Sequence, residues 1–344
     1  MDDWIGSLLA CRRSAQAAVL ITVASAKGSV PREPGTRMVV TATHQHGTIG
    51  GGHLELQAIG IARDMLAAGE VVTLRRFSLG ASLGQCCGGS VSLMFEAVAP
   101  SSAQAGWLDV IDQHRSRGEA CVLVSGAGRT AASGSLVVAE RSLSGSLGDA
   151  STDATAAALA LELLAADGPC CLAALAPDGP LHLLAPLREP DLHIVLFGAG
   201  HVGQALARIL GELPCRVTWV DERGDRFDSP AATNTELVAT DLPVAEVDAA
   251  RPGSCFLVMT HSHPLDQTLA EAILRRGDFR YFGLIGSLGK RRQFERRLAA
   301  RGIEAEMLAR MTCPIGIDGI DGKEPAAIAV AVAAQLLGIE KMSL

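Results

Sequence analysis

The 344-residue sequence predicts an α/β protein, with a doubly wound parallel sheet in its C-terminal part and a mixed α+β domain before it. Three observations carry this reading. The composition is 48% hydrophobic and 19% charged, enough for a large core and unlike a disordered chain. Beyond residue 191, short apolar runs alternate regularly with amphipathic stretches, the rhythm of strand–helix–strand units. A glycine-rich turn, Gly198-Ala199-Gly200-His201-Val202-Gly203, directly follows one of those runs and opens a helical pattern.

The elements follow in order. A helix is expected over residues 4–13 and a strand over 18–24. Arg12-Arg13, the apolar run 17–23 and Ala24-Ser25-Ala26 imitate a secretion signal. Asp2 and Asp3 spoil its basic start, and the β-branched run 19–23 reads better as a strand. Further strands are expected over 37–41, 71–77, 91–96, 121–125 and 135–139. Leu54, Ala58, Ile61, Ala62, Met65 and Leu66 fall on one face of a helix that stops at Gly69. Helices over 106–117 and 154–166 follow, and the Gly- and Ser-rich stretch 126–151 reads as peripheral. Residues 187–191 form a linker between an N-terminal domain, 1–187, and a C-terminal one, 188–344. Buried strands are then expected over 192–197, 217–221, 236–239, 255–260 and 281–285. A last helix starts near Pro325 and stops at Gly338. No internal repeat is apparent.

Charge and cysteine usage exclude several classes. The 30 basic and 37 acidic residues give a net charge of −7, which argues against nucleic acid or an anionic membrane as partner. Aromatics are only 3% of the chain, too few for base-stacking platforms. No uncharged apolar stretch reaches the roughly 18 residues of a spanning helix. The nine cysteines show no C-x-x-C and no framework, so a reducing, cytoplasmic setting is expected.

The turn at 198–203 sits in full dinucleotide-binding context. Its strand precedes it, a helix N-terminus follows, and Asp221 ends the next strand 18 residues after Gly203. Gly198, Gly200, His201 and Gly203 would line a phosphate, with Asp221 on a ribose hydroxyl. This Rossmann-like pattern is reused for many ligands, so NAD or another nucleotide is one candidate among several. Asp221 argues against NADP, whose 2′-phosphate it would repel.

Other motifs carry chemistry less specifically. Gly50, Gly51 and Gly52, followed by His53 and Glu55, open a helix and expose backbone N–H groups to an anion. A tight corner explains the same glycines. The preceding loop, residues 27–35, holds Lys27 and Arg32. Gln85, Cys86, Cys87 and Gly88 lie in a glycine-flanked loop where a thiolate could be one ligand to a thiophilic metal. The other cysteines, including Cys170 and Cys171, read as core. His261, His263 and Asp266 follow a strand at the carboxyl end of the sheet, as metal ligands or as a polar ligand mouth. Ser287 caps a basic helix whose Lys290 could meet a phosphate. The Gly-rich loop 313–325 is a further candidate anion site.

Together, the segments 47–55, 83–89, 198–203, 260–266 and 313–324 resemble the XdhC/CoxI family of xanthine dehydrogenase accessory proteins, in the right order across both domains. The paired cysteines of Leu83-Gly84-Gln85-Cys86-Cys87-Gly88-Gly89 resemble the branch serving xanthine dehydrogenase, an enzyme of purine catabolism. The resemblance implies a maturation chaperone rather than an enzyme. It would bind and protect molybdenum cofactor (molybdopterin), support sulfuration by a cysteine desulfurase and deliver the cofactor to the molybdenum subunit of xanthine dehydrogenase. A homodimer is the expected assembly. Two readings from other classes stand beside it. One is an NAD-dependent oxidoreductase with His261 or His263 as acid/base, the other a metallohydrolase using His261, His263 and Asp266.

Overall fold

The computed structural model describes residues 3–79, 88–99, 106–128, 134–227 and 230–341. They form two compact units that divide between Glu189 and Pro190. No described helix is long and apolar enough to cross a membrane.

The first unit runs α1 (Trp4–Arg13), β1 (Ala18–Lys27), β2 (Arg37–Thr41), β3 (Gln45–Gly47), α2 (Gly52–Ala68), β4 (Val72–Ser78) and β5 (Ser90–Val98). It then repeats this order as α3 (Gly106–Arg117), β6 (Cys121–Gly126), β7 (Ser135–Ala139), β8 (Ser142–Gly145), α4 (Ala150–Ala165), β9 (Cys171–Ala174) and β10 (Leu181–Leu187). The two antiparallel sheets have the same strand order, β3-β2-β1-β5-β4 and β8-β7-β6-β10-β9. Register agrees as well: Met38 pairs with Ile21 and Gly47, as Leu136 pairs with Val124 and Gly145. This part of the chain is an internal duplication.

Burial follows the duplication. Leu20 and Val39 of one sheet share a core with their counterparts Leu123 and Val137 of the other. Counterpart residues Leu8 of α1 and Ile111 of α3 close that core. Trp4 and Trp107, at matching positions of α1 and α3, stack with ring centroids 6.3 Å apart. The outer face of each sheet takes one helix. Ala58 and Ala62 of α2 cover Ile21 and Met38, and Ala156 and Ala160 of α4 cover Val124 and Leu136. Asp3 caps α1 by accepting from the Gly6 N–H at 2.8 Å, and α2 ends at Gly69 in the left-handed region.

The second unit contains β11 (His193–Phe197), α5 (His201–Leu210), β12 (Arg216–Asp221), β13 (Thr235–Ala239), α6 (Pro243–Ala249), β14 (Cys255–Val258), α7 (His263–Arg276), β15 (Tyr281–Leu284), α8 (Leu288–Ala299), α9 (Ala305–Ala309), β16 (Met311–Thr312) and α10 (Pro325–Lys341). The strands pair in parallel in the order β13-β12-β11-β14-β15-β16. The order reverses between β11 and β14, which places a crevice at their carboxyl ends. Helices α6, α7 and α8 cover one face through Val247, Ile273 and Phe294, and α5 and α10 cover the other through Leu206 and Val332. Burial on both faces is why these strands read as continuous apolar runs.

Several expectations are corrected. The stretch 126–151 is not peripheral: it supplies β7 and β8, and Leu136, Val137 and Val138 are buried. Strands β9 and β10 lay in segments given no strand. The last helix does not stop at Gly338, because Ile339 continues its apolar packing and glycine weakens a helix without forbidding it. The absence of a repeat is overturned by the duplication.

Between the two sheets lies a buried charge pair. The Arg37 guanidinium sits over the Trp4 ring at 4.3 Å, and its Nε has no hydrogen-bond partner among the described residues. Burial pushes the Glu96 carboxyl up to about 7, against the pull of Arg37. The folded chain therefore holds this proton more tightly than the unfolded chain. The contribution to stability is full below the ordinary carboxylate range and is lost as pH rises through about 7. We expect the urea-unfolding free energy to fall between about pH 5 and about pH 8, and to fall less in Glu96→Gln. Identical slopes in the two proteins would remove Glu96 as the cause.

Candidate functional site

In the first unit, three of the sequence motifs meet at one end of the first sheet. A Cβ on Gly50 would stand 2.5 Å from Pro31 Cβ, so the turn before α2 lies directly on the loop after β1. Gly50 also has φ +119°, which a side chain would strain. The same loop meets the start of β5, where a Cβ on Gly89 would stand 2.6 Å from the Lys27 carbonyl oxygen. Lys27, Gly28, Leu79, Gly88 and Gly89 line an open hollow there. Lys27 and Arg32 are exposed, with no ion-pair partner among the described residues. Gln85, Cys86 and Cys87 lie outside the described residues.

The glycine turn is not an empty anion cradle. Glu55, the fourth residue of α2, folds back onto the turn. Its Oε2 accepts from Thr48 Oγ1 at 2.5 Å and from the N–H groups of Ile49 and Gly51, each at 3.0 Å. Gly50 donates to Thr48 Oγ1 at 3.1 Å. The N–H groups of Gly50 and Gly51 expected to face a ligand are therefore taken by the chain itself. Glu55 is a clamp within the turn, and its charge would oppose an anion there. What stays open is the next step of the backbone. Gly51 is the N-cap and offers no side-chain acceptor, and the N–H groups of Gly52 and His53 have no side-chain partner among the described residues. They begin a 17-residue helix, whose dipole favours an anion at that end. The exposed His53 ring lies 3.1 Å from Gln57 Nε2.

In the second unit the glycine fingerprint adopts its expected form. Gly198 has φ +114°, and a Cβ on Gly203 would stand 2.0 Å from the Gly198 carbonyl oxygen. Gly200 caps α5 with no side-chain bond, and His201 is exposed at the first turn. Trp219 Nε1 donates to the Gly198 oxygen at 3.1 Å. Asp221 is only 5% exposed, and its carboxylate is engaged on several sides. It accepts from the Ala199 N–H at 2.6 Å, the Arg223 N–H at 2.9 Å and Arg223 Nε at 2.9 Å. Burial pushes its carboxyl up, but the Arg223 and Ala199 hydrogen bonds more than reverse this, holding it below the usual range. A ribose hydroxyl would have to displace Arg223. The same guanidinium compensates the charge expected to repel a 2′-phosphate.

Beside it, Gly198, Asp221, Thr260 and His261 line a small hollow over the carboxyl ends of β11, β12 and β14. His261 and His263 are both exposed, and His263 is the first residue of α7 behind the Ser262 cap. Asp266 does not join them. It is fully buried, and its Oδ1 accepts from Thr260 N–H at 3.1 Å and Thr260 Oγ1 at 2.7 Å. Its Oδ2 accepts from Lys290 Nζ at 2.7 Å, and Lys290 also donates to the Ile285 oxygen at 2.8 Å. Lys290 is thus spent on Asp266 rather than offered to a phosphate. Ser287 caps α8 by accepting from the Lys290 N–H at 3.3 Å. In the last loop, the Gly316 N–H is held by Gln335 Oε1 at 2.8 Å. Among the described residues no three His, Cys, Asp or Glu side chains gather as metal ligands.

Residues 194–336 match the XdhC Rossmann domain, and residues 11–78 match the XdhC and CoxI family. Together the two matches take in more than half of the chain. The chain belongs to the XdhC and CoxI family. Within the curated proteins, it is 28% identical over 153 residues to the uncharacterized protein YqeB of Escherichia coli K12. That match takes in 43% of this chain and spans only 27% of the relative's length. A solved structure from Bacillus halodurans, described as a xanthine dehydrogenase, shares the fold. It superposes with a TM-score of 0.74 at 20% identity, over 100% of this chain and 97% of its own. A Rossmann-fold NAD(P)-binding family protein from Shigella flexneri aligns with 44% of this chain and 87% of its own at 17% identity, with a TM-score of 0.31.

Sequence reasoning found the glycines of this XdhC-family chain but missed Thr48, Thr260 and Arg223. The available signal was a hydroxyl residue six or seven positions ahead of an acid. Lys290→Met would leave Asp266 buried and unpaired, costing about 3–5 kcal/mol of stability. Adding Asp266→Leu should recover part of that loss, as measured by urea unfolding. No recovery would mean that Lys290 acts through its own packing.

Proposed function

We propose that the chain is a carrier of molybdenum cofactor that serves the maturation of xanthine dehydrogenase. It would hold the cofactor, present it for sulfuration by a cysteine desulfurase and pass it to the molybdenum subunit. The observation that carries this reading is the convergence at the end of the first sheet. Two cations without ion-pair partners among the described residues, the uncapped N-terminus of a long helix, and the glycines that follow the Cys86-Cys87 pair all belong to one small region. The chemistry of that donor set fits the cofactor. Lys27, Arg32 and the first-turn N–H groups of α2 suit its phosphate. Gly28, Gly88 and Gly89 let a bulky ring system approach the backbone closely. Cys86 and Cys87 offer soft donors to the metal. The cofactor itself supplies the redox metal, and the chain's own residues bind, orient and shield. Family membership supports an accessory role, and the name borne by the Bacillus halodurans neighbour supports xanthine dehydrogenase as the client.

Anaerobic titration with molybdopterin tests the reading, with about one pterin bound per chain expected. Lys27→Ala with Arg32→Ala should weaken the metal-free and molybdenum-loaded forms alike, by about tenfold, since charge-assisted bonds to a phosphate are lost from both. Cys86→Ser with Cys87→Ser should weaken only the loaded form and leave xanthine dehydrogenase made alongside it poorly activated. Undetectable binding at micromolar protein would overturn the proposal. Equal weakening of both forms by the cysteine pair would make that loop a wall of the pocket rather than a metal contact.

A further inference from the structure

We infer that the second repeat of the first unit holds a binding pocket of its own, which takes a small planar molecule presenting N–H donors, such as an amidine or an amino-substituted nitrogen heterocycle. The hollow is about 250 Å³, room for about eight waters at their liquid volume. It lies at the end of β6 and the start of β10, beside the N-terminus of α4. That is the counterpart of the sheet end where the first repeat gathers its glycine loops. The Ser146 to Asp153 turn repeats the earlier clamp. Ser146 Oγ donates to Asp153 at 2.7 Å, the Leu147 N–H donates to it at 2.6 Å, and the Gly148 N–H donates to Ser146 Oγ at 3.1 Å. The frame is therefore the same, and the residues that differ define the pocket.

Two of them are decisive. His182 pairs with Gly126 in the sheet, where the first repeat pairs Leu93 with Val23. Its side chain belongs to a residue only 4% exposed and faces the hollow. Nδ1 lies 3.1 Å from the Pro180 carbonyl oxygen, a contact only an N–H satisfies, so Nε2 carries the lone pair. Nε2 has no hydrogen-bond partner among the described residues and is open to the hollow, so its lone pair is available to a donor there. Burial holds the imidazole below its ordinary pKa and so keeps it neutral. Asp149 stands where the first repeat has Gly51, and hydrogen bonds from Thr152 hold its carboxyl below the usual range. Among the described residues no lysine or arginine lines the hollow. The His182 Nε2 and, at the rim, the exposed Asp149 carboxylate share the hollow with Leu147, Leu175 and Pro180. Such a lining takes donors on a flat apolar body and repels phosphate and carboxylate.

Calorimetric titration of the full chain with benzamidine and 2-aminobenzimidazole tests this, with benzoate and inorganic phosphate as contrasts. Saturable binding of at least one donor probe is expected, and none of the two anions. His182→Leu installs the residue of the first repeat and should fold, while weakening binding by about tenfold or more. His182→Gln retains an acceptor and should keep part of the affinity, which separates recognition from folding should the leucine variant prove unstable. The inference fails if neither donor probe binds, if His182→Leu binds as the parent does, or if benzoate binds as well as benzamidine. None of these outcomes bears on molybdopterin binding at the first repeat.

Discussion

Loops that lead into helices in this chain are held by carboxylates of the chain itself. Glu55 takes two backbone N–H groups and a hydroxyl ahead of α2, and Asp153 takes one backbone N–H and a hydroxyl ahead of α4. Asp221 takes the Ala199 N–H in the middle of the dinucleotide-type turn. Asp266 takes both the N–H and the hydroxyl of Thr260. Backbone donors in tight turns must find a partner, and an internal carboxylate satisfies several at once with charge-assisted bonds. The glycines permit the turns, but the acids fix them. This device sets the terms for any ligand. An anion arriving at one of these loops finds the inner donors taken and must use the outer ones, the first N–H groups of the helix.

The same device explains how two repeats can share a frame and diverge in chemistry. The sheets pack through equivalent faces, with Trp4 against Trp107 and Leu20 and Val39 in one core with Leu123 and Val137. A core built from counterparts on both sides constrains both repeats together, since a change of volume in one is felt by the other. The loops at the sheet ends carry no such constraint. Divergence is therefore concentrated there, in the Lys27 and Gly88-Gly89 end of the first repeat and the Asp149 and His182 end of the second.

How far the sequence revealed all this depends on whether the cause was local. The parallel sheet was legible because its strands are apolar on both faces and its glycine turn stands in strand–helix context, all within about thirty residues. The family resemblance was legible for the same reason, from short motifs in order. The clamps were not, because Glu55 and Asp266 read as residues facing a ligand or metal until the turn is seen to fold back on them. Strand β10 was missed because Pro186 sits inside it, a residue that usually demotes a strand. The duplication was hidden because its repeats share spacing rather than identity. The identities that remain are scattered common residues, such as Leu20 with Leu123 and Val39 with Val137, and the clearest traces are Trp4 with Trp107 and Gly47-Thr48-Ile49-Gly50 with Gly145-Ser146-Leu147-Gly148. Arg223 was not legible beside Asp221, since an acid at the end of that strand reads as a ribose ligand and nothing local announces the guanidinium that holds it.

One position shows how little change separates the two ends. Gly51 and Asp149 both cap the helix that follows the clamped turn. Glycine leaves the helix N-terminus without a side-chain partner, and its partial positive charge faces outward with Lys27 and Arg32 in the same region. Aspartate fills that place with its own carboxylate, satisfies the Thr152 N–H and reverses the local charge. The proposed phosphate contact at the first end rests on that difference, and the carboxylate at the second end opposes one there. Conversely, a ligand bearing amino or amidine groups meets acceptors only at the second. The two ends of the duplicated frame thus differ in local charge, and the difference is set at the cap, where a helix is most sensitive to a single charge.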